Sequence, residues 1–92
     1  MNPIIGSRQD VERIIKQVVM DVTSLTGLEE STNLLDRELS IFPADFLYIF
    51  DLLERELQVD VYSILRNNTY RMMTVGVMAD ELYRICKIKY IA

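Results

Sequence analysis

Between residues 43 and 57 the carboxylates Asp45, Asp51 and Glu54 recur at helical spacing. Asp51, Glu54 and Arg55 can share one face, and Asp45 and Tyr48 another near the start. Paired carboxylates do general acid–base chemistry when a pocket drives their pKa values apart. Nothing in the sequence points to a cleft around these, so a solvated acidic face is expected. Other chemistries are narrower still. The chain has no histidine, which excludes a Ser-His-Asp or Cys-His arrangement and any zinc site needing imidazole. Its one cysteine, Cys86, can neither close a disulfide within the chain nor supply a four-cysteine cluster. It reads as a small buried hydrophobe, with Arg84 and Lys87 slender grounds for the electropositive setting of a reactive thiol. Ser40 and Ser63 lie near helix starts, where a serine ordinarily makes a backbone hydrogen bond. The expectation is a non-enzyme with no catalytic residue, no bound cofactor and no metal.

Charge narrows the partner. Of 14 acidic side chains nine fall in residues 29–60, opposed only by Arg37 and Arg55, a net of −7. The first 28 residues balance, and residues 61–92 carry +3, leaving −4 overall. An acidic centre repels phosphates, so nucleic acid is not expected as a partner. A protein with a basic patch would suit it, although a solvated helix face explains the same charges. The 92 residues, half of them apolar, suit one hydrophobic core and a single domain over 1–92, with a helical core of about 8–86. No apolar run approaches the roughly 18–20 residues of a membrane span. Met1 to Gly6 lacks the basic and apolar regions of a signal peptide, and a reducing, cytoplasmic setting is expected.

The elements that must hold these groups are helices. Ser7 and Asp10 form a weak capping box ahead of Val11, Ile14, Ile15, Val18, Val22 and Leu25, which keep a 3.6-residue period. Gly27 is expected to end this helix. Residues 29–42 form a loop whose Leu34, Leu35, Leu39 and Ile41 require it to lie ordered against the core. Pro43 suits the first position of a second helix, to about Leu57, with Phe46, Leu47, Phe50, Leu53 and Leu57 as its inner stripe. Val61 to Leu65 reads as a short helical turn stopped by Asn67 and Asn68. Thr74 caps a last helix with Val75, Met78, Ala79, Leu82, Ile85 and Cys86 inward; the tail from Lys87 to Ala92 is frayed helix or a short strand. The pattern is an all-α, small four-helix bundle with a long ordered loop and a short third helix.

Leu35-Asp36-Arg37-Glu38-Leu39, Leu53-Glu54-Arg55-Glu56-Leu57, Val59-Asp60-Val61 and Thr74-Val75-Gly76 follow one another at a spacing that resembles the acyl carrier protein family over about residues 8–86. The resemblance implies an acyl-carrier-like bundle. In that family an Asp-Ser-Leu motif at the start of the second helix carries phosphopantetheine on its serine. Phe42-Pro43-Ala44 occupies the motif here, and a shifted register puts Phe46 on the serine. Proline has no hydroxyl, so Pro43 cannot form the phosphodiester. The alternative is a working acyl or peptidyl carrier modified at Ser40, which would require that serine to stand at the helix N-cap. The degenerate motif and the size resemble the acyl carrier-related proteins of bacterial peptide maturation systems. That resemblance implies a non-catalytic accessory or scaffold recognised by a biosynthetic or peptide-modifying enzyme. The family's recognition surface is the second helix, and Asp45, Asp51 and Glu54 fall on or near its acidic positions. Tyr48 and Arg55 replace acids at two of them and so point to a different partner. With Phe42 from the apolar surplus, the expected partner-binding residues are Phe42, Asp45, Tyr48, Asp51 and Glu54.

Apolar content near the second and third helices exceeds what a core of this size needs: Phe42, Phe46, Tyr48, Tyr62, Tyr70, Met72 and Met73. Either several of these plug the core, or Phe42, Tyr48 and Met72 or Met73 form an exposed patch for a partner or a second copy in a homodimer.

Overall fold

A computed structural model describes residues 6–66 and 69–91. It is helical throughout, with one isolated bridge between Asn33 and Thr74 in place of any sheet among the described residues. Helix α1 spans Arg8–Thr23, α2 Pro43–Leu57, α3 Thr69–Met72 and α4 Val75–Ile91; 3₁₀ turns cover Arg37–Leu39 and Val61–Arg66. The tail is therefore helical as far as Ile91. Asn67 and Asn68, expected to stop the third helix, lie outside the described residues, and α3 is a helical turn that the sequence did not announce.

The start of α1 is as its residues dictate. Ser7 Oγ accepts from Asp10 N–H at 3.4 Å, and the Asp10 carboxylate accepts from the N–H groups of Ser7 (3.1 Å) and Gly6 (2.8 Å). Its end is not. The helix stops at Thr23, with Ser24 left-handed at φ 66°, four residues short of the turn expected at Gly27. Thr23 is the cause: its hydroxyl donates to the Val19 carbonyl at 2.7 Å and accepts from Leu25 N–H at 3.2 Å. A side chain that bonds both flanking backbone segments offers the chain an alternative to the next helical turn. Gly27 takes its positive φ, 73°, inside the loop instead.

Helix α1 lies between α2 and α4, and Val11, Ile15, Val18 and Val19 form its buried seam. Ile49, Phe50, Leu53 and Leu57 come from α2, and Val75, Met78, Ala79, Leu82 and Cys86 from α4. Two expectations are corrected. Leu47 belongs to the outer face of α2, and Ile49 takes the inner place, because 100° per residue sets Ile49 only 40° from the buried Leu53 and Leu47 120° from it. Met72 and Met73 are buried in the core, so neither belongs to an exposed patch. The methionines thus plug the core, whereas Phe42 and Tyr48 are exposed.

The long loop is ordered, as its apolar content requires, but mainly through its backbone. Leu34 N–H donates to Met73 O, Val75 N–H to Thr32 O and Gly76 N–H to Glu30 O, each at 2.9 Å. Asn33 completes the seam: its Oδ1 accepts from Leu35 N–H at 2.8 Å, and its Nδ2 donates to Tyr70 O (2.8 Å) and Thr74 Oγ1 (3.3 Å). Leu34 is buried and Leu39 and Ile41 pack against the core, whereas Leu35 is exposed. Arg8 fastens the same junction from α1. Its guanidinium bonds Asp80, Glu30 (2.6 Å), Glu12 (3.2 Å) and the Gly76 carbonyl (3.1 Å). The hydrogen bond to Asp80 and then that to Glu30 hold its pKa above the ordinary arginine value. No helix among the described residues is long and apolar enough to cross a membrane.

Candidate functional site

The start of α2 is built from residues that do not usually cap helices. Phe42 is the N-cap residue, in extended backbone, and Pro43 follows at the first helical position as expected. Phenylalanine offers no side-chain acceptor, so the free N–H groups of the first turn receive nothing from it. Asp45 supplies the one reciprocal bond, its carboxylate accepting from Phe42 N–H at 3.2 Å. The phenyl ring is thereby left pointing away from the core, 69% exposed.

Ser40 does not stand at that N-cap. It ends the 3₁₀ turn Arg37–Leu39 in left-handed backbone, φ 54°, with its N–H donating to Arg37 O at 3.1 Å. Its hydroxyl, exposed, reaches the same carbonyl only at 3.5 Å. The geometric condition that the sequence placed on Ser40 as an attachment site is therefore not met: the helix begins at Pro43, after Phe42, not a turn earlier. Ser63 sits inside the 3₁₀ turn Val61–Arg66, and its hydroxyl donates to Asp60 O at 2.7 Å, the backbone role expected of it.

The acidic face proves to be engaged within the fold. Asp51 accepts from the Tyr62 hydroxyl at 3.1 Å, and Glu54, half-buried, accepts from Val61 N–H at 3.2 Å. With Asp45 on Phe42 N–H, all three carboxylates of the expected site hold local structure. Two of them anchor the turn Val61–Arg66 to α2. The Tyr62 ring also meets Phe50 edge-on, with centroids 5.4 Å apart and planes at 76°. Burial, and then the bond to Asp51, raise the Tyr62 pKa above the ordinary 10.0. A phenolate absorbance titration should accordingly show a component above 10 that vanishes in Tyr62→Phe. Asp51→Asn should move it down, because the neighbouring negative charge is gone. A single transition near 10, unchanged in both variants, would contradict this contact.

Apart from Arg55 and Glu56, the exposed side chains of α2 that lack a partner are apolar. Leu47 is 58% exposed and Tyr48 64%, both on the outward face with Ala44, Asp51 and Arg55. The structure thus leaves Phe42 and Tyr48 of the expected site on the surface and adds Leu47. Sequence reasoning missed Leu47 by assigning it inward, because with Ile49 and Leu52 also apolar the helical period does not say which edge of the stripe faces the core. The capping role of Asp45 was also legible, as an acid three residues after an N-cap. The Glu54–Val61 bond had no such signal, because it joins two elements across a turn. No group of three or more metal-ligating side chains occurs among the described residues. One open hollow of about 340 Å³ lies along α1, lined by Arg13, Lys16, Met20, Leu25 and Leu28 among others. A second, of about 510 Å³, lies by Glu54, Gln58, Val59, Asp60 and Ile85. Neither includes Phe42, Leu47 or Tyr48, although the second includes Glu54 of the expected site. No protein-family model, curated protein or solved structure matches the chain.

Proposed function

We propose that this chain is an acyl-carrier-like four-helix protein that has lost the phosphopantetheine serine and acts without catalysis, by binding another protein. Its setting would be a biosynthetic system such as bacterial peptide maturation, with an enzyme of that system as partner. The observation that carries the reading is the exposure of three large apolar side chains, Phe42, Leu47 and Tyr48, in the first turns of α2, beside a proline where a carrier needs its hydroxyl. Long helix, long ordered loop, helix, short helical turns and helix is the order that the resemblance implies. Exposed aromatic residues on a rigid element are the type of group that dominates binding energy at protein interfaces.

Two experiments test the reading. Incubation with coenzyme A and a permissive phosphopantetheinyl transferase, followed by intact mass measurement, should leave the mass unchanged. A gain equal to the arm, lost in Ser40→Ala, would establish the carrier reading instead. The double substitution Phe42→Ser and Tyr48→Ser should preserve the helical circular dichroism spectrum while weakening capture of the partner enzyme at least about tenfold, the effect of removing one or two interface anchors. Undiminished capture would place the binding surface elsewhere.

A further inference from the structure

The open hollow of about 340 Å³ lies between α1 and the chain that leaves it, and no residue of α2 lines it. Its shape follows from where α1 stops. The helix is about 24 Å long at 1.5 Å per residue. Glu30 nevertheless bonds Arg8, in the first turn of that helix, at 2.6 Å. The six steps from Ser24 to Glu30 reach about 20 Å when fully extended. Residues 24–29, which belong to no helix or turn, therefore run back beside α1 over most of their extended length.

The backbone of this segment has an unpaired stretch. Leu25 N–H donates to Thr23 Oγ1 at 3.2 Å, and Glu29 N–H to Thr32 Oγ1 at 3.0 Å. Between them, the N–H groups of Thr26, Gly27 and Leu28 and the carbonyls of Leu25 to Leu28 make no hydrogen bond among the described residues. An extended edge with free donors and acceptors is a template for another chain. Gly27 keeps that edge accessible. Its φ of 73° marks a bulge, and an added Cβ would meet nothing within 4 Å, so a second backbone has room to approach. The floor is graded in polarity. Met20, exposed on α1, and the half-buried Leu25 and Leu28 make one end apolar, and Lys16 and Arg13 follow toward the start of α1. Lys16 holds Glu12 at 3.0 Å and Arg13 holds Asp10 at 3.2 Å, each with one of its several N–H donors. Glu12, the one acid in the lining, is bonded by both Arg8 and Lys16.

We propose that this hollow takes an extended, acidic peptide segment of another protein. Its main chain would pair with Thr26 to Leu28, its apolar side chains would lie on Met20, Leu25 and Leu28, and a carboxylate would face Arg13 and Lys16. Main-chain pairing supplies the affinity in this mode, and the side-chain positions supply the choice of sequence. A basic peptide meets like charge at the Arg13 end. The surface is separate from Phe42, Leu47 and Tyr48, so its failure leaves the reading of α2 untouched.

The test is amide nuclear magnetic resonance of the full chain with the probe peptide acetyl-Glu-Val-Thr-Val-Glu-amide. A short pairing should bind with a dissociation constant on the order of 1 mM or below. The amides of Thr26, Gly27 and Leu28 should shift and exchange more slowly with solvent as the peptide is added. Of two versions N-methylated at alternate residues, the one whose lost N–H groups face the loop should bind at least about tenfold more weakly, the effect of losing one or two hydrogen bonds. The version with lysine in place of both glutamates should weaken by a similar factor, as should the acidic peptide on Met20→Glu. An unchanged circular dichroism spectrum confirms that this variant folds, and the N-methylated pair tests the proposal without any variant. Undisturbed amides at Thr26 to Leu28 overturn the proposal, as does binding indifferent to N-methylation in both versions or to the lysine exchange. Hexane sulfonate bound as tightly as the peptide would make the hollow a site for small amphiphilic anions instead. Shifts of the same amides with protein concentration alone would give it to a second copy, and either result overturns the peptide.

Discussion

Truncating Leu53 to alanine is expected to destabilise the fold by about 3 kcal/mol, whereas Leu47→Ala, six residues earlier on the same helix, changes stability by no more than about 0.5 kcal/mol. Leu53 has no exposed surface and lies on the inner seam of α2 with Ile49, Phe50 and Leu57. Removing three carbons there forfeits their transfer free energy and leaves a cavity that three packed helices cannot close fully. Leu47 already faces solvent, so its truncation removes little buried contact. For a chain of this length, with a total stability of roughly 5–14 kcal/mol, the first loss is large. Urea denaturation checks both: the midpoint should fall clearly for Leu53→Ala and stay near wild type for Leu47→Ala, with the slope unchanged. Equal losses would return Leu47 to the core and remove it from the binding surface.

Valine in place of Gly76 should have the second large effect, about 2–3 kcal/mol, by crowding a junction of three elements. A Cβ at this position would meet the Glu30 carbonyl oxygen at 3.1 Å, Arg8 Nη2 at 3.2 Å and the Glu30 Cβ at 3.3 Å. The arginine tip can move, but the carbonyl cannot do so without loss, since it accepts from Gly76 N–H at 2.9 Å. The added methyl groups would push the loop at residues 29–34 off the start of α4 and strain the seam formed by Thr32, Asn33 and Leu34. Hydrogen exchange should show this locally. The amides of Leu34, Val75 and Gly76 should lose protection first, ahead of the α1 interior, which opens only with the whole fold. An unchanged melting curve with full protection of those amides would show that the loop does not depend on this close approach.

These two sites differ in how far the sequence reveals them. Leu53 stands in a run of apolar residues at helical spacing, and any reading of that period places it inside. The same period misplaces Leu47, because α2 carries Ile49 and Leu52 as well. A stripe that wide does not say which of its edges faces the core. Gly76 carries no local signal of its role. Within a helix start a glycine ordinarily weakens the helix, and only the approach of Glu30 and Arg8 from distant parts of the chain explains it.

The candidate site divides in the same way. That Pro43 cannot carry a phosphodiester, that no histidine is present for catalysis and that acids crowd residues 29–60 are facts of residue type, complete before any folding. Which acids remain free is a different matter. Asp45, Asp51 and Glu54 look alike as solvated carboxylates along the sequence, yet Asp45 caps its own helix while Asp51 and Glu54 accept hydrogen bonds from the turn Val61–Arg66. Phe42, Tyr48, Met72 and Met73 likewise form one apolar surplus in composition, and the packing of α3 against α4 buries the methionines while leaving the two aromatic rings outside.

Local rules thus determined the helices, most of their starts and the absence of histidine and thiol-pair chemistry, because capping, helical period and functional groups are properties of residues within about one turn of each other. Tertiary structure alone decided how the loop after α1 is fastened to the start of α4, which carboxylates bind across elements and which apolar side chains are left over. Those outcomes depend on contacts between residues tens of positions apart, such as Arg8 with Asp80 and Leu34 with Met73, and no local pattern encodes a neighbour that arrives only when the helices pack.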